Sequence, residues 1–446
     1  MPDFLVLTFA AVIIVAAVYA VARGLDVRLA LIVAAFALAG LRGDVSPVVA
    51  KFLATFSDEK FVVPICTAMG FAYVLRLTEC DRHLVRLLTR PLRSARAFLI
   101  PGVVLAGFLV NVPVISQTST AVCLGAVVVP LMRAARMSDV SIGASILLGA
   151  SIGGELLNPG APELNSVAQR LGVSPTDIVP AVQKLLFVHL ALATLLFWLV
   201  CWRADRKAGP PAVVVEAPAE GGIHLLRAMV PLVPLVLLYL RAKPFNLFDV
   251  PVDWLIVNPE RGKSYPQFDS RLIGLAMLVG VLAAALSNPW RIKQVPKAFF
   301  EGAGYAFAEV ISLIVVASCF GTAVEMTGLA ALIGDAIQRV PGLLTPAAGL
   351  VPLGFAALSG SGMAATQSLY GFFVAPAERL GVDPKDVGAM VSLGAAAGRT
   401  MSPVAAVALM SAKLTGTDSF RLARRVAGPL LISLMVAIVL RMGRVS

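Results

Sequence analysis

Apolar runs long enough to cross a lipid bilayer recur along the whole chain, and they restrict the possible folds more than any other feature. A helix needs about 20 apolar residues to span ~30 Å of hydrocarbon. Hydrophobic residues make up 58% of the chain and charged residues only 14%, whereas a soluble domain carries about 25% charged residues. The chain is therefore predicted to be an all-α polytopic membrane protein, with spans at 3–22, 29–41, 61–78, 181–202, 225–241, 271–287, 303–322 and 426–441.

The N-terminal run lacks a basic n-region and a small-residue cleavage site, so it is interpreted as a retained span rather than a signal peptide. The net charge of +11 comes from Arg and Lys in short connectors, where basic residues set topology and do not indicate a nucleic-acid partner. The five cysteines are scattered and the three histidines are isolated in sequence. No disulfide, metal site or cofactor is predicted.

The basic residues predict which connectors of the first half face the cytoplasm. Connector 79–96 carries five arginines, and connector 203–207 is also basic. Two apolar stretches lie between residues 96 and 131, yet basic residues follow them at Arg133 and Arg136. The chain is therefore expected to enter and leave the membrane on the cytoplasmic side, as a re-entrant hairpin at 97–130.

The second half is predicted to have the opposite orientation. Connector 376–386 has a mildly acidic balance and is assigned to the outside, whereas connector 413–425 is basic and is assigned to the cytoplasm. The corresponding hairpin, at 344–376, should then enter from the outside.

The two halves also resemble each other in sequence. The run Leu148–Gly153 is similar to Leu393–Gly398, and Pro130 and Pro159 have counterparts in Pro376 and Pro403. Inverted repeats with interrupted helices are typical of secondary transporters and place the substrate site at the repeat interface. The prediction is an elevator-type fold of about ten transmembrane helices, two re-entrant hairpins and two broken helices. Its parts are a first repeat at 1–202 with a broken helix at 140–170, a cytoplasmic linker at 203–224, and a second repeat at 225–446 with a broken helix at 386–413.

Each half supplies a polar hairpin tip and a helix that Pro and Gly interrupt. Irregular backbone at membrane depth is tolerated only where it is buried in protein or lines a wet cavity. Helix N-termini attract carboxylates, and small hydroxyl and amide groups add neutral hydrogen bonds. The alternative is that these residues cap helices or allow close packing. The predicted substrate-binding residues of this kind are Ser116, Gln117, Thr118, Ser119, Asn158, Ser359, Gly360, Ser361, Gly362, Thr366, Thr400 and Ser402.

Five further residues carry alternative interpretations. Arg399 is costly to bury and is expected either to clamp a substrate carboxylate or to form a structural salt bridge. Glu155, Glu163 and Asn165 are candidates for the coupling-ion site, or they cap helices in the break. Glu309 lies inside an apolar span and is interpreted as a proton site or as the internal partner of Arg399.

The run Gly398–Val404, the Ser361-Gly362 tip and the two-half layout resemble the DcuC family of anaerobic dicarboxylate carriers, which belongs to the ion transporter superfamily. This resemblance implies a homodimer in the bacterial inner membrane that carries four-carbon dicarboxylates such as succinate and fumarate. In the related sodium symporters the first tip reads Ser-Asn-Thr, whereas Gln117 stands at the middle position here, and the second tip lacks that triplet. Both departures count against a sodium site, and exchange and proton coupling stay open.

The predicted function is secondary active transport of a small organic dicarboxylate by alternating access, as an exchanger or an ion-coupled symporter. Another small organic anion, or an amino acid, is the alternative substrate class, and an anion channel is a more distant alternative. An enzyme is not predicted, because a serine nucleophile in Gly360-Ser361-Gly362 would need a base and no histidine follows His224.

Overall fold

A computed structural model of the chain describes residues 3–23, 25–91, 98–208, 222–241, 245–257, 259, 265, 267–329 and 339–443. Every regular element within these ranges is a helix, and ten helical segments are long and apolar enough to cross a membrane. The prediction of an all-helical polytopic membrane protein is confirmed.

The α-helices are numbered here in chain order. The first group comprises α1 (Asp3–Ala22), α2 (Val27–Arg42), α3 (Ser46–Phe56), α4 (Glu59–Thr78), α5 (Cys80–Thr89), α6 (Leu99–Asn111), α7 (Gln117–Ala134), α8 (Asp139–Ser151), α9 (Pro162–Leu171) and α10 (Val179–Ala208). The second group comprises α11 (Leu225–Met229), α12 (Val233–Arg241), α13 (Val252–Leu255), α14 (Phe268–Ser287), α15 (Val295–Ala306), α16 (Ser312–Thr327), α17 (Leu344–Ser359), α18 (Gly362–Leu369), α19 (Gly371–Arg379), α20 (Pro384–Met401), α21 (Ala406–Thr415) and α22 (Ser419–Met442).

The same order of elements occurs twice. In the first half, α6 and α7 flank a short tip, α8 ends at an irregular stretch, α9 begins after it, and the long α10 follows. In the second half, α17 and the pair α18–α19 flank a tip, α20 ends at an irregular stretch, α21 begins after it, and α22 follows. At 1.5 Å per residue, the 13 residues of α6 extend only ~20 Å, which is less than the hydrocarbon thickness.

The helices that end at the irregular stretches are the most enclosed elements. Buried side chains run without interruption from Ser141 to Ser151 on α8 and from Val387 to Thr400 on α20. These two helices contact each other, and α10 and α22 pack around them in the largest apolar core. The ends of α8 and α20 are therefore held in the interior of the protein.

Small residues bring α20 very close to α17. A Cβ atom built on Gly394 would lie 2.1 Å from the carbonyl oxygen of Gly349, and one on Gly398 would lie 2.1 Å from that of Leu353. Glycines four residues apart share one helix face, which lets two backbones touch without side chains between them. This contact positions Arg399, the next residue on α20.

The structure differs from the predicted segments at three places: two spans and the linker. The span at 225–241 is divided into α11, a 3-10 turn at Val230–Leu232 and α12, because Pro231 and Pro234 remove amide donors. The span at 303–322 contains a π-helical turn, Phe307–Ile311. The predicted linker at 203–224 begins later, since α10 continues to Ala208, and residues 209–221 lie outside the described part of the chain.

Candidate functional site at the two helix breaks

The first hairpin tip is capped from its own sequence. Ser116 is the N-cap of α7, and its hydroxyl accepts a hydrogen bond from the amide of Ser119 at 3.3 Å. The Thr120 hydroxyl and the Asn111 side-chain amide both donate to the carbonyl of Val114, at 3.2 and 3.1 Å. The reversal of the chain is thus fixed by side chains that replace missing helical hydrogen bonds.

The first broken helix is tied to this tip. The Asn111 side-chain oxygen accepts from the amide of Glu155 at 3.2 Å, and the Asn158 side-chain amide donates to the carbonyl of Val112 at 2.9 Å. The reversal at Gly153 requires a φ of +112°, which residues with side chains rarely adopt. Asn165 donates to the carbonyls of Pro159 and Ala161, both at 2.9 Å. The Asn158 and Asn165 side chains therefore satisfy backbone groups of the break.

The second hairpin tip has the same construction. Ser361 is the N-cap of α18, and its hydroxyl accepts from the amide of Ala364 at 3.1 Å. Gly360 has a φ of +72°, and a Cβ atom there would lie 3.1 Å from the backbone of Ala405 in the second break. A Cβ atom on Gly362 would lie 3.1 Å from Nη1 of Arg399. This tip therefore lies directly against the second break and against Arg399.

Arg399 joins the two breaks. Its Nη2 donates to Glu155 Oε1 at 2.5 Å and to the carbonyl of Ser151 at 3.0 Å. Its Nη1 donates to Glu163 Oε1 at 3.0 Å, and its Nε donates to the Ser151 hydroxyl at 3.2 Å. We name Arg399, Glu155 and Glu163 the buried triad, since their side chains are 7%, 0% and 4% exposed. The salt-bridge interpretation of Arg399 matches these contacts.

The charges of the buried triad do not balance. One guanidinium (+1) faces two carboxylates (−2), which leaves a net charge of −1 when both acids are ionised. Glu155 Oε2 is buried and has no hydrogen-bond partner among the described residues. An uncompensated charge in the protein interior costs several kcal/mol (~3–5 by removal of a partner), so this cluster favours any ligand that neutralises it.

Thr400 and Ser402 extend the contact between the halves without reaching open space. The Thr400 hydroxyl lies 2.7 Å from the carbonyl oxygen of Ser151, to which it can donate, and 2.9 Å from the Ser151 hydroxyl. The Ser402 hydroxyl is buried and has no partner within the described ranges. Ser151, which is not among the predicted site residues, accepts from both Arg399 and Thr400. It lies within the run Leu148–Gly153, which resembles the second half in sequence.

A cavity of about 290 Å³ lies where the tips and breaks meet. Four helices begin at its wall, so the positive ends of four helix dipoles border one space. The two residues that open each of these helices line the cavity: Gln117 and Thr118 on α7, Pro162 and Glu163 on α9, Gly362 and Met363 on α18, and Ala406 and Val407 on α21.

The rest of the wall is largely apolar and comes from α4 and from the helix around the π-turn. It is formed by Ile65, Ala68, Met69, Tyr305, Val310 and Leu313, together with Glu309. Sequence reasoning missed the apolar members, because nothing in an apolar span distinguishes a cavity wall from a lipid-facing side.

The interpretation of Glu309 as partner of Arg399 is wrong. Glu309 Oε2 lies 3.5 Å from Nη1 of Arg28, and its side chain is 49% exposed. Arg28 also donates to the carbonyl of Ala308 at 2.9 Å, within the same π-turn region. Glu309 still lines the cavity, as Glu163 and Arg399 do.

The predicted residues fall into two groups. The cavity wall includes Ser116, Gln117, Thr118, Glu163, Glu309, Ser359, Gly360, Ser361, Gly362 and Arg399. The remaining residues do not line it: Ser119, Glu155, Asn158, Asn165, Thr366, Thr400 and Ser402. Thr366 is buried, and it lines a separate cavity of about 60 Å³ beside the Arg170–Glu325 ion pair.

Two histidines that are distant in sequence meet elsewhere in the protein. His83 Nδ1 accepts from the amide of His224 at 3.2 Å, and their ring centroids are 6.3 Å apart. No group of three or more metal-ligating side chains occurs among the residues that the structure describes. The polar groups on the cavity wall are the helix termini, the hydroxyls and the Gln117 amide, Glu309, and two members of the buried triad, Glu163 and Arg399.

Comparison with known proteins agrees with this architecture. The family model for DcuC, the C4-dicarboxylate anaerobic carriers, matches residues 60–446. A putative uncharacterized transporter of Haemophilus influenzae is 31% identical over 130 residues, which cover 29% of this chain and 90% of that protein. A probable anaerobic C4-dicarboxylate transporter DcuC of Vibrio cholerae is 23% identical over 389 residues, which cover 83% of this chain and 79% of the other.

Among solved structures, the fold is similar to that of the YdaH transporter of Alcanivorax borkumensis, with a TM-score of 0.55 and 18% identity. The match covers 87% of this chain and 86% of that one. At this identity the likeness concerns the fold alone, and it fits a multi-pass transporter architecture. The family-model match over residues 60–446 establishes that the chain belongs to the DcuC family of C4-dicarboxylate anaerobic carriers.

Proposed function

We propose that this protein is a secondary active transporter that moves four-carbon dicarboxylates, of the succinate or fumarate type, across the bacterial inner membrane by alternating access. The observation that supports this best is the convergence of four helix N-termini on one cavity. Each N-terminus carries about +0.5 elementary charge and stabilises a nearby anion by ~0.3–1 kcal/mol when exposed, and by up to ~2 kcal/mol when partly buried. Two termini from each half suit a ligand with a carboxylate at each end.

The size of the cavity supports a small solute. Pockets for drug-sized ligands measure about 300–1,000 Å³, and this cavity, at about 290 Å³, is below that range. The Ser116 and Ser361 hydroxyls lie at the two tips, and Gln117 adds a side-chain amide next to the first. These groups offer hydrogen bonds to carboxylates without adding charge.

In this proposal Arg399 is not a free clamp for a substrate carboxylate. Its guanidinium is already engaged by Glu155 and Glu163, so its first role is to hold the two breaks together. Its Nη1 still borders the tip at Gly362, which leaves the positive group next to a bound carboxylate. Arg399 therefore acts as a positioning residue that contributes to the local potential.

The repeated order of elements, combined with the opposite charge patterns of the connectors, supports two inverted repeats. The hairpins and breaks form part of the cavity wall, and α4 with the region around the π-turn forms the rest. In an elevator mechanism, the first group would carry the substrate past the second. Assembly as a homodimer stays a prediction, which light scattering of the detergent-solubilised protein would test.

Counterflow in proteoliposomes tests the proposed function. Labelled succinate should enter vesicles preloaded with unlabelled succinate along a saturable curve, and fumarate should compete with it. Ser361→Ala should raise the KM for succinate, whereas Ser57→Ala, at an exposed loop hydroxyl, should leave it unchanged. A flux that is linear in concentration and not accelerated by preloading would instead indicate a channel. Counterflow of an amino acid or a tricarboxylate that succinate does not inhibit would indicate the alternative substrate class.

A further inference from the structure

The buried triad has a charge excess that the contacts around it do not relieve. Arg399 lies between Glu155 and Glu163 at 2.5 and 3.0 Å, and the second oxygen of Glu155 has no partner in the described part of the chain. Glu163 differs from Glu155 in one respect, since it lines the cavity and can exchange protons with the water there. The triad thus combines a buried site of excess negative charge with a path from the cavity.

We propose that Glu155 and Glu163 together take up one proton with each dicarboxylate, so that substrate and proton are bound and released as a pair. This inference rests on the proposed function and names the coupling ion for the same site. The proton passes from water in the cavity to the Glu163 carboxylate, and Arg399 then balances the one remaining carboxylate. Release of the substrate on the other side returns the proton to water.

The other charged and titratable groups around the triad do not supply the missing charge. The residues of α4, α18 and α21 that line the cavity carry no ionisable side chain. Glu309, also on the cavity wall, lies 3.5 Å from Arg28, which Asp26 engages more closely at 2.8 Å, so this cluster supplies no positive charge to the triad. Other ionisable groups of the described residues near the breaks are Tyr239, which donates to the carbonyl of Leu157, Tyr305 on the cavity wall, Arg170 in its ion pair with Glu325, His189 on α10 facing Ser433, and the exposed Lys184.

A charge count shows why a dianion would require this proton. Four helix N-termini contribute about +2 elementary charges and the triad contributes −1. A doubly ionised dicarboxylate adds −2, which leaves −1 in a largely desolvated space. One proton on the carboxylate pair brings the total to zero. The dianion and the proton therefore stabilise each other, and the coupling is reciprocal.

A proton fits this location better than a metal cation does. The guanidinium occupies the space between the two carboxylates, so a cation placed there would be repelled by Arg399. A hard cation also needs about six oxygen ligands, and the described residues contain no group of three or more His, Cys, Asp or Glu side chains. A proton needs neither a coordination shell nor removal of the arginine.

Binding measured as a function of pH tests the inference. Purified wild-type protein in detergent is titrated with succinate between about pH 6.5 and 8.5, where the substrate carboxyl groups stay ionised. One linked proton should raise the Kd by about tenfold per pH unit in the titrating range. In weakly buffered solution, succinate addition should also remove about one proton per bound molecule from the medium.

Two variants, each of which replaces one carboxylate with a neutral amide, identify the site. Because either substitution leaves one carboxylate, which Arg399 balances, Glu163→Gln and Glu155→Gln should each abolish the pH dependence of Kd and the proton uptake. Glu301→Gln, on the exposed side of α15, is the matched control and should keep both. Wild-type binding without proton uptake, or uptake that persists in both variants, would overturn the inference while leaving the proposed function intact. Failure of the wild-type protein to bind succinate would overturn both the inference and the proposed function. If a variant does not fold, the number of protons that the wild-type protein takes up per bound succinate still decides the question.

Discussion

Removal of the arginine from the buried triad is expected to destabilise the protein strongly at neutral pH. Arg399→Ala leaves Glu155 and Glu163 buried, at 0% and 4% side-chain exposure, without their cation. It also removes the hydrogen bonds to the hydroxyl and carbonyl of Ser151, at 3.2 and 3.0 Å. Breaking a buried ion pair on one side costs ~3–5 kcal/mol, because an uncompensated charge is left behind.

The cost should depend on pH in a defined direction. As the pH falls, the two orphaned carboxylates become neutral in the variant, so the difference between wild type and Arg399→Ala should shrink. The triple variant Arg399→Met, Glu155→Gln, Glu163→Gln removes all three charges and should recover most of the stability. Thermal unfolding in detergent, followed by tryptophan fluorescence at neutral and acidic pH, measures both effects.

An exposed arginine provides the matched control. Arg170 forms an ion pair with Glu325 at the same 2.5 Å distance, but each side chain is 47% exposed. Surface pairs contribute only ~0–1 kcal/mol, so Arg170→Ala should unfold close to the wild-type temperature. Equal losses in Arg399→Ala and Arg170→Ala, or a loss at Arg399 that is independent of pH, would refute the reasoning from burial.

Three other predictions concern separate parts of the protein. Gly398→Ala should lower the unfolding temperature, because its Cβ would meet the carbonyl of Leu353 at 2.1 Å. Gly354→Ala has open space around its Cβ and should be neutral or stabilising by up to ~1 kcal/mol. Thermal unfolding distinguishes the two variants. Ser361→Ala should cost ~0.5–2 kcal/mol through loss of the α18 N-cap, measured in the same assay, and no loss would contradict that role. Burial raises the pKa of Asp81 on α5 above its ordinary value of 3.8. This residue therefore stabilises the fold below pH 3.8, and the stabilisation is lost as the pH rises through the raised pKa. Asp81→Asn should remove this decline from a pH series of unfolding temperatures, and an unchanged decline would contradict the prediction.

Several features of the fold followed from local sequence signals. Apolar length predicted a polytopic helical protein, and the motifs around Gly398–Val404 predicted the DcuC family; both predictions are confirmed. Pro and Gly mark the places where α8 and α20 end, because each removes or weakens hydrogen bonds within a few residues of itself. Such signals need no knowledge of the tertiary structure.

The partners of charged residues could not be predicted in the same way. Arg399 and its carboxylates lie in opposite halves of the chain, more than 230 residues apart, and no local pattern distinguishes Glu155 and Glu163 from Glu309 as its partner. The three-dimensional arrangement decides the choice, since α8 and α20 end side by side whereas Glu309 faces Arg28. The apolar cavity wall was missed for a similar reason, because Ile65 or Leu313 is indistinguishable in sequence from a lipid-facing residue.

A structure determined by cryo-electron microscopy at saturating succinate would test the proposed anion site most directly. Density for the two carboxylates is expected in the cavity of about 290 Å³, with their oxygens within hydrogen-bonding distance of first-turn amides from both α7 and α18. Succinate density at the lipid boundary or in another cavity, with this one occupied by water alone, would contradict the convergence of helix termini as the basis of substrate binding.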